Sequence, residues 1–149
     1  MARRTLTLVA VVLAAVAACT ATESAEVIES DYIEMMDAAC AVTSGELAAL
    51  PTPPGDISTP DFATLAATAI GNEAERARTI EPPDDLAADH RAFVANTDDQ
   101  ASRWREIAEI SADDEAELNR LSSEIAQLTL GRDDLATEMG IVACRRAAE

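Results

Sequence analysis

The sequence predicts an all-α domain, a four-helix bundle with a proline-rich loop after its first helix. Three observations carry that expectation. Alanine, the strongest helix former, is abundant, while glycine occurs only 5 times in 149 residues. Four stretches repeat apolar residues at three- and four-residue steps. Proline, glycine or capping residues separate those stretches, and no alternating strand pattern runs longer than a few residues.

The first helix is expected from Glu26 to about Ser44, with Ile28, Tyr32, Met35, Met36, Ala39 and Cys40 on one face. Gly45 is its expected stop, although Glu46 to Leu50 can add a turn. Pro51-Thr52-Pro53-Pro54-Gly55 then forces a loop, because proline lacks the N–H a helix needs. The second helix opens at Thr59-Pro60-Asp61: Thr59 can cap, Pro60 suits the first helical position, and Asp61 faces the positive helix end. Phe62, Leu65, Ala66, Ala69, Ile70, Ala77 and Ile80 form its stripe, and Glu81-Pro82-Pro83 ends it.

The third helix is expected over 84–109, with Leu86, His90, Phe93, Val94, Thr97, Ala101, Trp104 and Ala108 inward. Ser111-Ala112-Asp113-Asp114 resembles a capping box for the fourth helix. Leu118, Leu121, Ile125, Leu128, Leu135, Ala136 and Met139 are its apolar face, and Gly131 is a candidate bend. Gly140 followed by Ile141 reads as a glycine stop with a hydrophobic residue behind it. Four such helices make a bundle the natural architecture.

The N-terminus has a different character. Arg3 and Arg4 precede an apolar run from Thr5 to Ala15, and small residues follow, in the three-part layout of a secretory signal. The run is shorter than the roughly 18–20 apolar residues a membrane span needs. Val16-Ala17-Ala18-Cys19 resembles the lipobox of bacterial prolipoproteins. That resemblance implies diacylglycerol on the Cys19 sulfur and cleavage just before it, with 1–18 removed, 19–25 a lipidated polar tether, and 26–149 the folded domain. An ordinary secretory cut at Ala15-Val16-Ala17 is the competing reading. Two or three acyl chains anchor durably, whereas one gives only reversible attachment. The expected location is the extracytoplasmic face of the cell membrane.

The three cysteines fit this reading. Lipidation of Cys19 leaves the even pair Cys40 and Cys144, which export would place where disulfides persist. In a plain up-down bundle Cys40, near the end of the first helix, lies far from Cys144. A bridge therefore favours a crossover through 45–59 that sets the first helix parallel to the fourth. The alternative is that the last residues fold back.

Charge strikes out some functions. The chain has 28 acidic and 11 basic residues, all of the latter arginine, and a formal charge of −17. A basic patch able to neutralise phosphates is missing, so nucleic-acid binding and adsorption to anionic headgroups are rejected. His90 is the only histidine, and there is no Gly-x-Ser-x-Gly elbow and no Cys-x-x-Cys pair to build a hydrolytic or metal site around it. Residue 87, three before it, is alanine, so the di-iron Glu-x-x-His pattern fails. Haem held by His90 with Met35, Met36 or Met139 is conceivable, but methionine on a helical face is usually packing. The acidic pairs at 84–85, 98–99, 113–114 and 133–134 lack the EF-hand pattern. Trp104, the single tryptophan, is expected to anchor the core.

Ala39-Cys40, Pro82-Pro83, His90 and Gly140-Ile141-Val142-Ala143-Cys144 are together similar to features of small actinobacterial helical lipoproteins. That resemblance implies the same fold and disulfide and no catalytic residues. The expected function is therefore a membrane-anchored, non-enzymatic binding or structural role at the cell envelope. It needs no cofactor and makes contact with membrane lipid and an envelope protein. A carrier of a small apolar ligand or haem is the alternative, and a hydrolase stands third.

Overall fold

A computed structural model describes residues 13–53, 58–111 and 114–146, with side chains from Glu29 onward. Four helices appear, α1 (Leu13–Ala48), α2 (Thr59–Arg78), α3 (Ala87–Glu109) and α4 (Glu115–Glu138), with no strand among the described residues. Residues 1–12 and the side chain of Cys19 lie outside what is described, and with them the signal and lipidation readings. The backbone of 19–25, expected to be an irregular tether, is helical and continuous with α1; no Gly or Pro between Leu13 and Ser44 interrupts it. Gly45 does not stop α1 either, and the extra turn through 46–48 forms.

The cap of α2 lies one residue earlier than expected, at Ser58. Its hydroxyl accepts from the Asp61 amide at 3.3 Å and donates to the Asp61 carboxylate at 2.6 Å, a reciprocal arrangement that needs the acid three residues on. At the far end α2 stops at Arg78, before its prolines. The Pro82-Pro83 pair delays α3: residues 83–86 make a turn closed by Leu86 N–H to Pro83 C=O at 3.0 Å, so Asp84 and Asp85 precede the helix. Asp114 itself caps α4, accepting from the Glu117 amide at 3.2 Å. Gly131 lies inside continuous helix, where a Cβ would come within 3.4 Å of Asn96 on α3.

The end of α4 matches its sequence signal in detail. Gly140 has φ +74°, a left-handed conformation that a side chain strains. Ile141 N–H bonds Ala136 C=O at 2.8 Å and Gly140 N–H bonds Thr137 C=O at 3.1 Å, the paired bonds of a Schellman motif. The motif reverses the chain, and residues 141–146 run back along α4. Ile141 and Cys144 are buried, and Arg146 N–H reaches the Asp133 carboxylate.

That reversal decides the topology. Ala63 on α2 packs near Ile107 on α3, and Ala77 near Phe93, so α2 and α3 are antiparallel. Thr129 pairs with Gln100, and Arg132 lies over Phe93, so α3 and α4 are antiparallel too. Tyr32 meets Met139 while Cys40 lies level with Arg132, so α1 runs against α4. The sense is plain up-down-up-down, which corrects the expected crossover. Cys40 and Cys144 are bridged, with Cα atoms 5.0 Å apart, because the tail comes back to Cys40. The helices α1 and α4 do not pair directly; segment 139–146 fills the seam between them.

Candidate functional site

The polar centre nearest a cavity is built from three elements. Tyr32 on α1 is buried, and its hydroxyl lies 3.0 Å from Nδ1 of His90, in the first turns of α3. The two rings meet edge to face at 5.8 Å. The same hydroxyl lies 3.4 Å from the sulfur of Met139, at the end of α4. One hydroxyl hydrogen serves two acceptors here. Given to Nδ1, it leaves the imidazole's own hydrogen on Nε2; given to sulfur, it requires the hydrogen on Nδ1. Burial, and then the Asp89 carboxylate, push the Tyr32 phenol up to about 12. Burial, and then the Arg91 charge, hold His90 below the ordinary imidazole value, so the ring is neutral at pH 7.

A cleft of about 490 Å³ opens at this corner, between the end of α2, the Pro82 turn and the start of α3. His90 lines it although only 5% exposed. Ile80, Pro82, Val94 and Ala95 give it apolar walls, and Arg78 and Arg91 also line it. Arg78 is already neutralised, by Glu75 at 2.6 Å and Asp98 at 2.5 Å. The N-terminus of α3 beside it has no side-chain cap, since Leu86 occupies the cap position.

A second polar group lies deeper. Glu73 on α2 and Arg132 on α4, both 0% exposed, form an ion pair at 2.6 Å, and Arg146 closes on the other Glu73 oxygen at 2.5 Å. Arg132 also donates to the Cys144 carbonyl, lies 3.8 Å from the Cys40 sulfur, and stacks over Phe93 at 4.9 Å. Burial pulls the Arg146 guanidinium below its ordinary value, against the Glu73 charge that raises it. The group ties α2, α4 and the returning tail around the disulfide, and all its acceptors are occupied. Its chemistry is structural.

Sequence reasoning missed Glu73 and Arg132, yet left a trace of them. The stripe on α2 passes from Ile70 to Ala77 and that on α4 from Leu128 to Leu135, each skipping a full two turns. The charged residues sit in those gaps. Of the residues that were singled out, Cys40 and Cys144 come together. Met139 and His90 share Tyr32, with its hydroxyl between them, while Met36 is fully buried and Met35 is 48% exposed. Asp98 serves Arg78, and Asp133 receives the Arg146 amide; Asp113 lies outside the described residues. Trp104 is only half-buried, edge-to-face with Phe62 at 5.8 Å. Among the described residues no group of three or more His, Cys, Asp or Glu side chains converges as a metal site would. Nor is any described helix long and apolar enough to cross a membrane.

No protein-family model, curated protein or solved structure matches this chain.

Proposed function

We propose that this chain is a lipoprotein held by acylated Cys19 at the extracytoplasmic face of the cell membrane, and that residues 26–149 act there as a non-enzymatic binding or structural domain. The observation that carries the proposal is the Cys40–Cys144 bridge. It accounts for two of three cysteines and fits an oxidising compartment. The one left over stands at the end of an apolar, Arg-led segment. His90 supports the non-enzymatic reading, because its bonded nitrogen meets the Tyr32 hydroxyl and neither a carboxylate nor a thiol. Growth with labelled palmitate tests the anchor. Label is expected in the native chain and lost with release from membranes in Cys19→Ser; an unlabelled native chain, or a variant retained equally well, overturns it. Crosslinking in the intact envelope tests the partner, with one enriched protein as the expected result.

The second reading, a carrier of a small ligand, is favoured by the cleft beside His90. It places the ligand at the α2–α3 corner. The space between helices near the methionines is already occupied by Tyr32 and Met36.

A further inference from the structure

We propose that the cleft at the α2–α3 corner binds a small organic carboxylate with an apolar body, the carboxylate resting against His90, Arg91 and the first turn of α3. The inference names a ligand class for the binding role proposed above and is independent of the lipid anchor.

His90 is the first support. It is a polar side chain more than nine-tenths buried, it lines the cleft, and only its Nδ1 edge has a protein partner among the described residues. The opposite edge of the ring carries Nε2. When Tyr32 gives its hydrogen to Nδ1, Nε2 presents an N–H toward the cleft, and an anion there selects that arrangement. Arg91 is the second. It lines the same cleft and has no acid partner among the described residues, unlike Arg78. The third is the start of α3, which has no side-chain cap and whose dipole favours negative charge, Asp89 of its first turn being the one acid it already carries.

The remaining lining fixes the class of ligand. Ile80, Pro82, Val94 and Ala95 offer apolar contact, which an inorganic anion would waste. A volume of about 490 Å³ lies within the range of small-molecule sites. The surrounding charge is negative: Glu81 stands on the rim, and the whole chain carries −17. That background disfavours a polyanion more than a monoanion. A cationic amphiphile would set its charge against Arg91 and the positive end of α3, while Asp98 is already committed to Arg78.

The chain has a single histidine, so imidazole NMR gives one uncluttered reporter. The full-length Cys19→Ser chain, with its disulfide formed, is titrated with hexanoate, hexanol and hexylamine. Hexanoate is expected to shift the His90 signal saturably. The alcohol and the amine, lacking the charge-assisted bonds, should bind about tenfold more weakly or less. Arg91→Gln, an exposed position outside the core, should weaken hexanoate by a similar factor at unchanged thermal stability. The proposal is overturned if millimolar hexanoate leaves the histidine signal in place, if the amine binds as well as the acid, or if Arg91→Gln binds normally. None of these outcomes bears on palmitate labelling, so failure of the site and failure of the anchor remain separable.

Discussion

The two ends of the bundle are built on different principles. At one end Ala63, Ile107, Leu121 and Ile125 form an apolar cluster of α2, α3 and α4, edged by the partly buried Trp104, Ala108, Ile110 and Leu118. No described side chain of α1 belongs to it. At the other end α1 joins, and with it come a disulfide, a fully buried Glu–Arg pair extended by Arg146, and the Tyr32–His90–Met139 contact. At the first end the three short-looped antiparallel helices meet over an apolar core, with the Arg103–Glu124 pair joining α3 to α4 outside it. The remaining helix, α1, has no direct seam with α4, and its attachment depends on groups that are specific and mutually dependent.

Several measurements can break or sharpen this contrast. Reduction of Cys40–Cys144 should have the largest effect. A loop of this size, 104 residues, is worth about 4–5 kcal/mol in the chain-entropy estimate, read from denaturant midpoints with and without reductant. The loss should be uneven: amide exchange should rise first in α1 and 141–146, with 104–125 still protected. Uniform exchange across both ends would erase the distinction.

Next comes Arg132→Met, which strands Glu73 beside a weakened Arg146. Breaking one member of a buried pair costs about 3–5 kcal/mol, whereas replacing the pair together, as Glu73→Leu with Arg132→Met, should recover much of that. Chemical denaturation of both variants checks the non-additivity. At the apolar end, Leu121→Ala should cost about 3 kcal/mol by transfer and cavity terms. It should add simply to the disulfide's loss, because the two sites share no partner. Gly140→Ala should cost about 1–2 kcal/mol from the left-handed backbone, although the space for a methyl exists, with Ile33 at 3.6 Å.

The smallest effects are in pH. Burial disfavours the charged form of His90, so the unfolded chain binds the proton more readily. Stability is complete above the ordinary imidazole value of 6.5 and falls as pH drops below it. His90→Gln should flatten that limb of the stability profile. Tyr32 acts at the other extreme: its folded phenol ionises at about 12 against an ordinary 10.0, so its contribution is lost as pH rises between the two. The chain has one tyrosine, and tyrosinate absorbance reads the shift directly.

The same contrast explains what the sequence disclosed. The apolar end was legible because its logic is periodicity: Leu118, Leu121 and Ile125 sit where helical spacing puts them. So was the Gly140-Ile141 stop, since a left-handed residue followed by a buried apolar one is a local rule. Leu65, on the expected stripe of α2, is instead 41% exposed, while Ala63, Ala67 and Ala74 are buried. Alanine allows α2 and α3 to approach closely, and periodicity weighted by side-chain size does not register it. The pairing of Cys40 with Cys144 was legible as arithmetic, but its route was not. Spacing favoured a crossover of α1, whereas six residues reversing after Gly140 achieve the same closure. Glu73 and Arg132 showed only as gaps in the stripes, for a related reason: each is an ordinary charged residue until the facing helix and the tail supply its partners. The cleft belongs to the same class, for its walls come from the end of one helix and the start of the next, and only the turn at Pro82-Pro83 brings them together.

The returning tail also sets an order of events. Tyr32, Met36 and Cys40 take their surroundings from a segment far along the chain, 104 positions on in the case of the disulfide, so α1 must wait for that segment before its own packing exists. Closure is a long-range, late step, the kind that slows folding and leaves apolar surface open meanwhile. A nascent chain cut short after α4 would keep a helical hairpin stack but could neither neutralise Glu73 fully nor fasten its first helix. Docking of the returning segment is in this way the step on which the maturation of the fold depends.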